Sequence, residues 1–118
     1  MRFQHLGVPT DMPRKGEYHL PEAGVYVLDY RSNPYGIEWM RYEPHCILPE
    51  IIQTVPHLAF VVPDLDAAID GKKIIIQPNS PSEGVRVAFI VEHGAPIELM
   101  EVADEVAHLF PCPGVTED

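Results

Sequence analysis

Thiols, positive charge and long apolar runs are what this chain has least of. Its 118 residues include two cysteines, Cys46 and Cys112. They sit in unlike contexts, EPHCILP and FPCPG, with no CxxC, so neither a disulfide framework nor a thiolate zinc site is supported. Reduced thiols and a cytoplasmic setting are expected. Eight Lys and Arg stand against 18 Asp and Glu, a formal net charge of −10. Such a surface repels phosphate backbones and anionic bilayers, so neither a nucleic acid nor a membrane is an expected partner. No apolar run approaches the ~18 residues of a membrane-spanning helix. The opening MRFQHLGVPT has no apolar signal core. The length allows one compact domain at most, or two very small modules sharing a core. Thirteen prolines favour short strands and turns over long helices.

What is present is an internal repeat. When Glu38 is placed on Glu98, PEAGVYVLDYRSNPYGIEWM (21–40) lies on PSEGVRVAFIVEHGAPIELM (81–100) without a gap. Pro21, Gly24, Val25, Val27, Ile37, Glu38 and Met40 recur in order as Pro81, Gly84, Val85, Val87, Ile97, Glu98 and Met100. Ahead of these segments FQHLGVPTD (3–11) lies on VPHLAFVVP (55–63), which matches His5 to His57. The second copy is longer between its His and its Glu, and PDLDAAIDG (63–71) supplies the extra length. Asp64 or Asp66 as N-cap, Ala-Ala-Ile as helix formers and Gly71 as a stop predict about two helical turns there. The matching TDMPRKGE (10–17) holds a proline and a glycine and is expected to be a loop.

Strands are accordingly expected over 2–8, 17–20, 24–31 and 36–43 in the first copy, and over 56–62, 72–77, 84–92 and 96–102 in the second. The organisation expected is a first module over 2–43, a connector over 44–54, a second module over 55–103 and a tail over 104–118. DEVAHLF (104–110) reads as a short helix or irregular segment, and PCPGVTED (111–118) as loose.

Two copies of strand–(helix)–strand–strand–strand, each with a His on its first strand and a Glu on its last, resemble the vicinal oxygen chelate superfamily. This is the group of glyoxalases, bleomycin-resistance proteins and extradiol dioxygenases. The residues behind the resemblance are HLAFVVPDLDAAI (57–69), GVRVAFI (84–90) and PIELME (96–101), with HLGVP (5–9) and GIEWMRYEP (36–44) in the first copy. The resemblance implies an α+β fold. Two βαβββ-type modules, the first shortened and lacking its helix, would form an incomplete barrel around a cleft. It also implies a divalent transition metal (Zn, Ni, Co, Mn or Fe) held by His5, Glu38, His57 and Glu98, with Glu38 and Glu98 as the catalytic carboxylates.

The chemistry is consistent with that set. Two imidazoles and two carboxylates suit those borderline and hard ions. Six-coordination would leave two positions for adjacent substrate oxygens, and a Lewis acid there stabilises an enediolate. Strand alternation turns Glu38 away from Ile37 and Trp39, and Glu98 away from Ile97 and Leu99. The implied activity is a glyoxalase-like lyase or isomerase acting on a small α-oxygenated carbonyl compound. An acyl-CoA epimerase, an iron-dependent dioxygenase and a non-catalytic module of the bleomycin-resistance type are the alternatives. A homodimer is expected, since two-fold association would cover apolar surface. Arg41 and Arg86 are the cations available to a substrate carboxylate. Tyr26 and Arg86 hold equivalent positions, in the cleft or facing solvent. His45 in the connector is a weaker candidate for a role.

Overall fold

The computed structural model describes residues 1–112. Eight strands make one sheet that curls into a half-barrel, in the order β2-β3-β4-β1-β5-β8-β7-β6. The first module contributes β1 (Arg2–Pro9), β2 (Tyr18–Leu20), β3 (Val25–Leu28) and β4 (Ile37–Tyr42). The second contributes β5 (His57–Val61), helix α2 (Leu65–Ile69), β6 (Lys73–Ser82), β7 (Val85–Glu92) and β8 (Ala95–Val102). The connector is not plain loop. It holds a one-turn helix, α1 (Glu50–Thr54), whose Ile52 is buried. Strand β6 also runs past the expected end at 77 to Ser82, through Pro78 and Pro81. It is the outermost strand, where a missing backbone donor breaks no second ladder. Part of the 111–118 segment lies outside the described residues.

The repeat in sequence is a repeat in register. β1 pairs parallel to β4 with Leu6 opposite Ile37, and β5 pairs parallel to β8 with Leu58 opposite Ile97. β1 and β5 meet antiparallel at the centre, with His5 opposite Ala59 and Gly7 opposite His57. Gly24 and Gly84, matched in sequence, both turn with positive φ, at 75° and 80°. Their carbonyls accept equivalent bonds, from Glu43 N and Ala103 N, each 2.8 Å.

Alternation then sorts the side chains. Val25 and Val27 on β3, and Val85 and Val87 on β7, are buried on the inner face. Ala59, Met100 and the partly buried Phe89, Val102, Val106 and Phe110 join the β7 pair there. On the outer face, α2 packs Leu65, Ala68 and Ile69 against Val62, Ala88, Ile90 and Leu99. Asp64 caps α2 by accepting from Ala67 N at 3.2 Å, an interaction worth about 1 kcal/mol. Glu101 ties the same helix start to β8 by accepting from Leu65 N at 2.8 Å. The first module has no such helix. Its outer face carries the 10–17 loop, with the Arg14 guanidinium 4.4 Å from the Trp39 ring. Cys46 and Cys112 are both free thiols. No helix among the described residues is long and apolar enough to cross a membrane.

Candidate metal centre

The centre forms where the two modules meet on the inner face. His57 opens β5 and lies over Gly7 of the neighbouring β1. A Cβ at Gly7 would stand 2.1 Å from His57 Cε1, so only glycine leaves room for the ring. His5 reaches the same face by a different device. Phe3 pairs with Phe60 and His5 with Ala59, and the register shift between them leaves Gln4 as an extra residue in β1. This bulge places two consecutive side chains, Gln4 and His5, in the buried layer. Glu38 and Glu98 come from the outer partners of these central strands, opposite Gly7 and Ala59 respectively.

The four side chains are brought together unequally. His57 Nε2 lies 3.1 Å from Glu98 Oε1, and His5 Nε2 lies 3.3 Å from the same oxygen. The donor atoms of His5, His57 and Glu98 all lie within 4.8 Å of one another, and this is the one such His/Cys/Asp/Glu group among the described residues. Glu38 approaches through His5 alone, with Oε1 3.4 Å from Nε2, and falls outside the three-residue group. Both imidazoles are buried, with 3% of His5 and 2% of His57 exposed. The carboxylate side chains are mostly buried too, keeping 14% (Glu38) and 13% (Glu98) exposed.

His5 Nε2 is buried with no hydrogen-bond partner. Its distances to Glu98 and Glu38 are short, but the geometry makes no bond. A buried polar atom left in this state costs about 1–3 kcal/mol unless something satisfies it. A divalent cation between two imidazole nitrogens and a carboxylate oxygen would do so, and the His₂Glu donor set is one such ions accept. The residues present therefore fit a divalent metal.

The two carboxylates differ electrostatically. Burial opposes ionisation of Glu98, but contacts from His5 and His57 prevail and hold its pKa down to about 2. Glu38 is pushed above the usual 4.5, first by burial and then by the nearby Glu98 charge, against the pull of His5. For His5, burial disfavours the charged ring, yet contact with Glu98 and the charges of Glu98 and Glu38 win and raise it above 6.5. Tyr30 stacks on His5 with centroids 5.4 Å apart. Burial pushes its phenol up to about 12, so it stays a donor at neutral pH.

The remaining candidates lie elsewhere. Arg41 and Arg86 do not reach the centre. Arg41 pairs with Glu17 at 2.7 Å and lies 4.2 Å from the Tyr26 ring, while Arg86 pairs with Asp66 of α2 at 3.1 Å. Tyr26 and Arg86 are on the outer face, because the valines on either side of each occupy the inner one. His45 lies 3.5 Å from Glu43, is largely exposed and stands outside the donor group. A recess of about 640 Å³ is also on the outer face, beside α2 and lined by Leu58, Phe60, Ala67, Ile97 and Leu99 among others. Its lining is mostly apolar, with Asp64, Lys72 and Glu92 among it, and none of the four candidate side chains belongs to it. Gln4, absent from the sequence-based candidates, is a buried polar neighbour of His5. A glutamine directly before a candidate ligand was the one available signal.

No family model matches the chain, and no curated protein matches it. Solved structures do. A hypothetical protein, BH1468 from Bacillus halodurans C-125, superposes with a TM-score of 0.59 at 19% identity, over 87% of this chain and 95% of its own. Methylmalonyl-CoA epimerase from Mycobacterium tuberculosis superposes with a TM-score of 0.55 at 20% identity, over 91% of each chain. At these identities the likeness is one of fold alone.

Proposed function

We propose that this protein is a divalent-metal-dependent lyase or isomerase of the vicinal oxygen chelate type, which moves a proton at a carbon next to a carbonyl group. The observation that supports it most is the convergence of His5, His57 and Glu98 donor atoms, with a second carboxylate, Glu38, alongside. The shared fold with a protein named as an epimerase supports the same class of chemistry.

In this reading His5 and His57 hold the metal through Nε2 and Glu98 through its carboxylate. The bound ion supplies Lewis-acid polarisation of two adjacent substrate oxygens. Glu98 suits a ligand because it stays anionic through the whole working pH range. Glu38 suits a base. It is less tightly engaged, and its pKa is raised above the usual 4.5 by burial and by Glu98. Two carboxylates whose environments push them in opposite directions mark such a division of labour. Glu38 would take the proton from the substrate carbon and return it from the same side to the neighbouring carbon.

The direct test is solvent exchange. Protein loaded with Zn²⁺, Ni²⁺, Co²⁺ or Mn²⁺ is incubated in D₂O with hemithioacetals of α-ketoaldehydes and with 2-methyl-branched acyl thioesters, and deuterium at the α-carbon is followed by NMR. Exchange with at least one class is expected, dropping about 10²–10⁴-fold in Glu38→Gln. Tight binding of these compounds with no exchange would overturn the enzymatic reading and leave a sequestering module.

A further inference from the structure

The stretch Leu109–Pro111 lies far along the chain from the metal centre, yet three consecutive carbonyls of it are held by first-module side chains. Arg31 Nη1 donates to Leu109 O at 3.0 Å, Gln4 Nε2 donates to Phe110 O at 3.4 Å, and Tyr30 Oη donates to Pro111 O at 2.7 Å. Two of these three side chains also touch His5. Tyr30 stacks on its ring, and Gln4 Oε1 lies 2.8 Å from its Nδ1.

The polarity of this chain of contacts is fixed by the atoms. A backbone carbonyl only accepts, so the Gln4 amide must turn its NH₂ toward Phe110. That leaves the Gln4 carbonyl oxygen, also an acceptor only, facing His5 Nδ1. The Nδ1 atom must therefore bear the proton. In the neutral ring the lone pair is then on Nε2, the buried atom with no partner, which points at Glu98 and Glu38. The bulge in β1 is what makes this possible, because it lets Gln4 and His5 share one face.

We propose that Gln4 is a positioning residue for the metal centre: anchored by the Phe110 carbonyl, it fixes His5 as the Nδ1–H tautomer and thereby presents Nε2 as the ligand atom. The inference rests on the metal reading above and goes beyond it by naming what orients the first ligand. Partners of this kind on ligating histidines are worth about 10–100-fold in metal affinity.

The experiment compares wild type, Gln4→Leu and Gln4→Glu. Zn²⁺ affinity is measured by competition with a chromophoric chelator, and His5 in the Zn²⁺-loaded proteins is read by long-range ¹H–¹⁵N correlation spectra. Wild type should show a protonated Nδ1 with the metal on Nε2. Gln4→Leu should bind about 10–100-fold more weakly. Gln4→Glu, which keeps an acceptor against Nδ1, should recover most of that loss. A purely packing role would predict the reverse order, because Leu suits a buried site better than Glu. Wild-type affinity in Gln4→Leu would overturn the inference while leaving the metal reading intact. If Gln4→Leu does not fold, the wild-type spectrum decides, and metal on Nδ1 would overturn it. Failure of wild type to bind Zn²⁺ would overturn the metal reading itself, and this inference with it.

Discussion

The two halves of the sheet are alike on the inside and unlike on the outside. Inside, Val25 and Val27 repeat as Val85 and Val87, and each module places one histidine and one glutamate at the seam. Outside, the second module is covered by α2 over a continuous apolar cluster. The first module has the 10–17 loop, with Arg14 on Trp39 and Arg41 between Glu17 and Tyr26. The inner geometry therefore depends on strand register and not on the covering helix. A module can lose its helix and still deliver its two side chains, provided β1 and β4 keep their pairing. The halves also differ at the seam. His57 needs a glycine beneath it, whereas His5 faces Ala59 and gains its place from the bulge.

The largest expected effect is on the covered side. Leu65, the first residue of α2, is completely buried against Val62, Ala88, Ile90 and Leu99, and Leu65→Ala should cost about 2–5 kcal/mol in denaturant unfolding through the cavity it leaves. A loss below ~1 kcal/mol would mean that α2 is as dispensable as the helix the first module lacks.

Next comes the seam. Gly7→Ala should cost about 1–3 kcal/mol through overpacking, since the new methyl would occupy the place of the His57 ring. It should also weaken metal binding. The reciprocal Ala59→Gly should cost only about 0.5–1 kcal/mol, from backbone entropy. Equal effects at the two positions would erase the asymmetry described here.

The two glutamates should separate by pH in the metal-free protein. Glu98 is lowered from 4.5 to about 2, so its contribution is present above 4.5 and is lost as pH falls toward 2. His5 is raised, so its contribution is full below 6.5 and is lost as pH rises through its folded value. Glu38 is raised as well, so its ionisation on going above 4.5 works against the fold. Thermal midpoints of metal-free protein should therefore fall on both the acid and the alkaline side, and Glu98→Gln should flatten the acid limb between 4.5 and about 2 while Glu38→Gln leaves it in place. An acid limb unchanged in Glu98→Gln would contradict the assignment.

The smallest effect belongs to the uncovered side. Arg14→Ala should cost about 0.5–1 kcal/mol, the worth of a partly exposed cation over an aromatic ring. A loss comparable to that of Leu65→Ala would show the 10–17 loop to be a true substitute for a helix.

Much of this was legible in the sequence, for reasons that also explain what was not. The repeated Pro-x-x-Gly-Val-x-Val and Ile-Glu-x-Met segments specify the strands, and the Asp64 cap with Gly71 specifies α2, because these signals are local. Alternation around Glu98 was enough to send Leu99 outward into the α2 cluster. The bulge at Gln4 has no glycine or other local mark, so the burial of Gln4 beside His5 was hidden. Its tie to Phe110 spans 106 positions, beyond any pattern in the chain. The helix Glu50–Thr54 was masked by the prolines flanking it, although Pro49 at its start is compatible with a first turn. Arg41 and Arg86 looked available to a ligand only because their partners, Glu17 and Asp66, come from loop and helix packed on the outer face.

Metal content measures the central claim most directly. The protein, purified without a histidine tag, would be equilibrated with Zn²⁺, desalted and assayed by elemental analysis, beside His5→Ala, His57→Ala and Glu98→Ala. The account predicts about one metal ion per wild-type chain and a substoichiometric content in all three variants, with their folds intact by circular dichroism. A metal-free wild type, or metal retained in all three variants, would contradict it.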